Sequence, residues 1–433
     1  MNFGELYSWV RDLPIVDWHN HLDLAALADD APLGSLYEVW VAPDPYKHRA
    51  MRICGEPERL ITGDAPEAEK WEAWKRTLPK LIGNPLFDWA RAELAVIGNG
   101  ELGTGNGEWW RTLENVPLSD WTPSKILRKV NVEVLSPCVG AGFAPGAPAP
   151  GRTNLCERPL ILPSLRLSFG DEVSLEALER FDAAGCRVVD ISIDDANSLL
   201  SPTCRNPPCG PSALSAASPT CRNPPCGVAG SPQRGAEGAP LFAFAAAHGW
   251  TMLLHIGALR ETSSRLRAAT GPAGGYAAMR APVDPAIVAA FLNSLESTEN
   301  PFSPAENTCL PHTILLTLNP EAHAHLAVLS GSFTHEGLPG HVSLGPAWWW
   351  CDHAHGVRDV LEKCAAYGVL YTFPGMTTDS RSILSLARHD WFRRTLCKWV
   401  EGKVASGDFP DDPALLRPLL ENICYRNAKR IFA

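Results

Sequence analysis

Eight short apolar runs recur along this chain: Ile15–His19, Val130–Ser136, Leu160–Arg166, Cys186–Ile193, Thr251–Gly257, His312–Asn319, His341–Trp349 and Tyr371–Asp379. Most are rich in Val, Ile and Leu without clean polar alternation, which is how strands covered on both faces read. Helical patterns separate many of them, among them Ser174–Gly185, Pro282–Thr298, Glu321–Phe333 and Gly356–Gly368. Their leucine spacing and terminal glycines fit amphipathic helices. Eight strands alternating with helices predict an α/β fold, a parallel (β/α)8 TIM-like barrel.

The runs divide the chain unevenly. Residues 1–32 hold an N-terminal segment and the first barrel strand. Residues 33–126 contain Trp40, Trp71, Trp74, Trp89, Trp109 and Trp110 among helix formers and read as a helical insertion after that strand. The tryptophans are read as packing residues. Residues 127–433 supply the rest of the barrel and C-terminal helices. Within them, SPTCRNPPCG at Ser201–Gly210 is repeated letter for letter at Ser218–Gly227. Proline and glycine density predicts a disordered, Pro/Cys-rich loop over about 199–238, a tandem duplication without catalytic role. Cys204, Cys209, Cys221 and Cys226 have Cys-x4-Cys spacing with two prolines between, which is not a usual zinc-finger geometry. A shorter loop near Gly140–Gly151 has similar composition.

Charge and composition narrow the function classes. A formal charge of -10 disfavours nucleic acid as a general partner. No apolar run reaches the ~18 residues of a membrane span. Met1–Val16 contains Glu5, Arg11 and Asp12, so it does not read as a secretory signal. The 13 cysteines are odd in number and mostly scattered through apolar segments; they are read as reduced thiols, and a cytoplasmic protein is expected.

Chemistry collects at the strand ends. The first run leads into Asp17-Trp18-His19-Asn20-His21. Alternate side chains of a strand share a face, so His19 and His21 are expected to point the same way and bind one metal ion. Imidazoles suit zinc, iron or nickel, and Asp379 at the eighth strand end is the natural third ligand. Arg166, Arg260 and Arg381 stand at further strand ends, placed to bind a carboxylate or steady an enolate-like oxyanion. Asp190 lies in the fourth strand, His255 at the fifth and Trp348 at the seventh, where it reads as an apolar wall. So many polar groups at strand ends are costly to bury unless paired or ligated, and together they outline one cleft.

With these residues in place, the chain resembles the uronate isomerase (glucuronate isomerase) family of the amidohydrolase superfamily. The resemblance runs from Asp17 to Phe432. It is carried by Tyr46-Lys47-His48-Arg49-Ala50-Met51-Arg52, Gly83-Asn84-Pro85-Leu86, Leu254-His255-Ile256-Gly257-Ala258, Thr378-Asp379-Ser380-Arg381-Ser382, Arg388-His389-Asp390-Trp391-Phe392-Arg393-Arg394 and Ile423-Cys424-Tyr425-Arg426-Asn427-Ala428-Lys429. It implies a barrel of the metal-dependent hydrolase type. It implies conversion of D-glucuronate to D-fructuronate and of D-galacturonate to D-tagaturonate, by proton transfer from C2 to C1 through a cis-enediol. His19, His21 and Asp379 would bind a single divalent metal, with zinc expected. Arg166, Asp190, His255, Arg260 and Trp348 would line the substrate pocket. Tyr46 and Asp379 would move the proton, and Arg381 would stabilise the enediolate. The partner implied is a small-molecule uronate, and a homo-oligomer is open to the chain.

The chain departs from the family pattern in three places. Pro45 stands where the family usually has His before the tyrosine, Ile191 follows Asp190 in place of His, and Pro137-Cys138-Val139-Gly140 replaces a Thr-Thr-Asp-Asp-Pro stretch. Two other readings of the same residues stand beside the isomerase: a metal-dependent hydrolase or decarboxylase on a related sugar acid, and a catalytically impaired sugar-acid binder.

Overall fold

A computed structural model describes residues 1–98, 113–142, 159–194, 196–199, 235–303 and 308–432. The duplicated SPTCRNPPCG segment, Trp109 and Trp110 lie outside these residues. Seven parallel strands follow one another around a curled sheet: β1 (Ile15–Asn20), β2 (Val132–Gly140), β3 (Ser164–Ser168), β4 (Val188–Ile193), β5 (Thr251–Ile256), β6 (His312–Thr317) and β7 (Val342–Leu344). A two-residue strand, Leu160–Ile161, pairs beside β2. The helices Leu175–Ala183, Pro285–Glu296 and Ala354–Tyr367 fall where the helical patterns put them. The predicted Glu321–Phe333 helix is instead an α-helix, His323–Val328, between two 3-10 turns.

Two-residue periodicity sorts each strand into an outer and an inner face. In β4, Val189, Ile191 and Ile193 pack outward with Leu178 and Phe181 of the neighbouring helix. Val188 faces inward with Leu253, Ile314 and Leu316. Asp190 and Ser192 share that inner face, in register with Arg166 of β3 and His255 of β5 respectively. Ile191 is therefore a core residue behind the sheet, and its departure from the family pattern does not reach the cleft.

The eighth strand is where structure and expectation part. A 3-10 turn occupies Leu370–Thr372, and the chain then runs extended to Asp379 without forming a ladder. Pro374 lacks a backbone donor. Gly375 adopts φ 76, and a side chain there would run into the carbonyl of Ile423. Backbone pairing with the first strand survives only at the top, where Asp379 N donates to His19 O at 3.0 Å and His21 N to Ser380 O at 2.8 Å.

Among the described residues, six α-helices lie between β1 and β2: Leu24–Asp29, Leu36–Trp40, Pro45–Ile53, Glu67–Thr77, Pro85–Ile97 and Pro123–Lys129. They bury their own core, in which Trp40, Trp71 and Trp74 pack together. The helix Pro45–Ile53 leans on the loop after β5. Arg49 donates to Ala277 O at 3.2 Å and Arg52 to Gly274 O. Gly275, at φ 79, lies so close to the Pro45 carbonyl that no side chain fits between them. This contact closes one wall of the cleft at the strand C-termini.

Candidate active site

A cavity of about 430 Å³ opens at the C-terminal ends of the strands, roofed by the helical insertion. His19, His21, Tyr46, Arg166, His255, Arg260, Trp348, Asp379 and Arg381 all line it. Asp190, expected at the substrate, stands behind this wall, fully buried. Trp89, read as packing, also reaches the cavity.

The end of the first strand carries the histidines. Their ring centroids are 5.3 Å apart. Asp379 Oδ1 lies 3.2 Å from His19 Nε2 and 3.0 Å from His21 Nε2. Donor atoms bound at ~2.0–2.1 Å around a tetrahedral metal ion are separated by roughly such distances. The donor set, two imidazole nitrogens and one carboxylate oxygen, suits a first-row divalent cation with positions left for substrate. Charge agrees. Burial alone would raise the Asp379 carboxyl, but bonds from His19 and His21 hold it well below the usual carboxylate range. Burial lowers His21 to about 4, so it is a neutral donor. Burial would lower His19 too, yet Cys138, Asp190 and Asp379 around it pull it well above the ordinary imidazole value. The pocket favours positive charge beside His19, which a cation supplies.

A second layer fixes these side chains. Asp190 receives His255 Nδ1 at 2.6 Å and Arg166 Nη1 at 3.0 Å. Those partners outweigh burial and keep its carboxyl ionised. His19, Asp190 and His255 also lie close enough to form a metal-binding group of their own. Both oxygens of Asp190 are already engaged there, whereas Asp379 Oδ1 faces His19 Nε2 and His21 Nε2, the latter also 3.2 Å from Arg166 Nη1. We therefore read Asp190 as the residue that orients His255 and Arg166. Arg166 and Arg260 both reach Ser192 Oγ, at 3.3 and 3.1 Å, and Arg260 Nε pairs with Asp194 at 2.8 Å. Trp348 does more than form an apolar wall: its indole N–H donates to Asp379 Oδ2 at 2.9 Å.

Tyr46 enters from the insertion. Asp44 caps its helix by accepting from Tyr46 N at 2.8 Å, and Lys47 Nζ locks Asp44 at 2.5 Å. Pro45 occupies the first helical position, where its missing N–H costs nothing. The phenol packs edge-on to Trp89 and Trp350. Burial and the nearby Asp379 charge raise it well above the usual tyrosine value, against the pull of Arg388 and Arg381. Tyr46 thus keeps its proton at ordinary pH.

Three contributors were not singled out from the sequence. Cys138 Sγ sits 3.2 Å from His19 Nδ1, in one of the stretches that departs from the family pattern. Arg388 lines the cavity, covers the face of Trp89 at 3.8 Å and pairs with Asp352. Glu93 accepts from Lys47, Trp40 and Ser385 beneath Tyr46. Arg388 lay inside a quoted motif, so a signal existed for it. Cys138 and Glu93 carry none, because only the fold brings them near.

Comparison with known proteins identifies the family and the fold. The glucuronate isomerase family profile matches residues 2–138 and 239–432. A uronate isomerase of Serratia proteamaculans is 31% identical over 466 residues, covering 99% of this chain and 95% of that protein. One from Geobacillus thermodenitrificans is 31% identical, covering 98% and 95%. The crystal structure of a uronate isomerase from Thermotoga maritima superposes with a TM-score of 0.76 at 24% identity, over 100% of this chain and 97% of that one. A glucuronate isomerase from Caulobacter crescentus gives 0.70 at 19% identity, covering 99% and 93%. These two likenesses establish the barrel architecture.

Proposed function

We propose, for a chain that belongs to the glucuronate isomerase family, that it isomerises hexuronates between aldose and ketose forms at the cavity described above. The observation that carries this reading is the meeting of His19, His21 and Asp379 in a cavity that also holds Arg166, Arg260, Arg381 and Tyr46. A mononuclear donor set ringed by arginines suits a polyhydroxy acid.

His19 Nε2, His21 Nε2 and Asp379 Oδ1 would hold one divalent metal ion; the donors suit zinc, iron or nickel, and the family resemblance implies zinc. When bound there, it would supply Lewis-acid polarisation of the carbonyl oxygen of the open-chain sugar. Arg166 and Arg260, tied to one another through Ser192, bind the substrate carboxylate. Asp379 and Tyr46 carry the proton. The aldose gives up its C2 hydrogen to a base while O1 is protonated, forming the enediol. The same proton returns to C1 as O2 loses its own, leaving C2 as the carbonyl. Asp379 rests ionised and Tyr46 protonated, the forms in which the one takes up a proton and the other gives one, although the direction of each shift weakens that exchange. Arg381, on the same turn as Asp379, steadies the enediolate charge. His255, its Nδ1 bonded to Asp190, presents the other nitrogen to the interior.

Among the described residues no helix is long and apolar enough to cross a membrane, and the eight described cysteines are free thiols. Both support a cytoplasmic site of action.

The test is turnover on D-glucuronate and D-galacturonate, following the keto product with a coupled dehydrogenase. Turnover that vanishes in His19→Ala and Asp379→Ala supports the reading. Absence of turnover in folded, metal-loaded protein sinks it and favours a hydrolase or a binder on the same scaffold.

A further inference from the structure

Asp379 sits on the stretch of chain that lacks a ladder, and its backbone is in the left-handed region at φ 49. A residue other than glycine stays there only when its surroundings over-determine it. The surroundings here converge on one buried side chain, Asp17 of β1. Thr378 N donates to Asp17 Oδ1 at 2.7 Å and Thr378 Oγ1 to Oδ2 at 2.8 Å. Thr377 Oγ1 lies 2.9 Å from Oδ1 and accepts from His19 N at 2.8 Å. Asn20 Nδ2 reaches Oδ2 at 3.0 Å and His389 Nε2 reaches Oδ1 at 3.1 Å. Arg388, next to His389, donates to Thr378 O at 2.7 Å from the opposite side.

We propose that Asp17 is a positioning residue of the metal centre: its carboxylate replaces the absent strand ladder and sets the distance between Asp379 and the two histidines. Asp17 touches neither the cavity nor the ligand atoms. It grips the residue before Asp379 while belonging to the strand that leads into His19 and His21. The peptide N–H and hydroxyl of Thr378 are fixed by Asp17 and its carbonyl by Arg388, so the following Cα has little freedom. Below the two backbone bonds at His19 and His21, the seam that the ligand triad spans is thus held by side chains. The inference rests on reading His19, His21 and Asp379 as the metal ligands.

Three variants test it. Asp17→Asn keeps the volume and one acceptor but turns the other oxygen into a donor that faces Thr378. Thr378→Val removes one hydroxyl bond and leaves the backbone bond. Thr378→Ser keeps both and serves as the rescue. Each is loaded with cobalt(II) as a visible probe, and metal release into excess chelator is timed. The expected result is folded Asp17→Asn and Thr378→Val proteins that release metal at least tenfold faster than the parent, with altered cobalt absorption. Their kcat should fall while KM changes less than twofold. Thr378→Ser should behave as the parent does. Parent-like release and absorption in folded Asp17→Asn and Thr378→Val overturn the proposal. If Asp17→Asn does not fold, the Val and Ser pair at position 378 decides alone. A parent protein that binds no cobalt or zinc overturns the ligand reading itself, and the inference with it, before any variant is made.

Discussion

The indole N–H of Trp348 meets Asp379 Oδ2 at 2.9 Å, on the carboxylate oxygen that faces away from the two histidines. A single hydrogen bond thus separates the two oxygens of this carboxylate into one that faces the histidines and one that faces the wall. Trp348→Phe keeps the ring contact with His255, whose centroid is 4.5 Å away, and removes only the donor. Loss of such a partner of a ligating group costs ~10–100-fold in metal affinity or activity. Chelator competition should show that loss with the melting temperature little changed.

Tyr46 is set by a capped helix and raised by burial, so its expected role is to donate a proton. Tyr46→Phe preserves the edge contacts with Trp89 and Trp350. Turnover should drop on the order of 10²-fold or more, while metal content measured by elemental analysis stays that of the parent. Near-normal turnover would remove Tyr46 from the mechanism.

Gly275 tests how the insertion is docked. Its φ of 79 and its contact with the Pro45 carbonyl leave no room for a methyl group. Gly275→Ala should destabilise the fold by about 1–3 kcal/mol, seen as an earlier thermal transition. KM should rise as well, because Gly275 and Pro45 both line the cavity.

Acid sensitivity follows from buried imidazoles far from the metal ligands. Burial lowers His312 from 6.5 to about 3 and His48 from 6.5 to about 4. Above about pH 6.5 both states are neutral, and these groups add no pH dependence. As the pH falls from 6.5 towards 4 and then 3, the unfolded chain takes up protons that the folded chain refuses. Stability is therefore lost across that window. Denaturant midpoints should already decline between pH 6.5 and 5, where carboxylates are still ionised. His312→Gln should flatten part of this slope.

The strand set was largely legible because a parallel strand covered on both faces announces itself as an apolar run. The runs at 186–193, 251–257 and 312–319 fall within one or two residues of their strands at 188–193, 251–256 and 312–317. The run at 371–379 carried the same signal and formed no ladder. Pro374 and Gly375 inside it were the local contrary signs, and the Asp17 contacts that replace the ladder depend on residues about 360 positions away. The site was legible where chemistry clusters in sequence, as at His19 and His21 or Asp379 and Arg381. Asp190 was legible as a site residue but not as one standing behind the wall, because sequence spacing does not say how deep a side chain sits. Trp348 read as apolar because an indole shows its donor only when an acceptor is found.

A ring closed by ladders is insensitive to which side chains it carries, since any backbone supplies the bonds. Here the last joint has two backbone bonds at its top, and below them one carboxylate, two hydroxyls, an imidazole and a guanidinium. Its tightness is therefore written in residue identity and open to adjustment by single substitutions. A substitution at this joint would change how the three proposed ligands are spaced while every strand, and the cavity itself, stays the same.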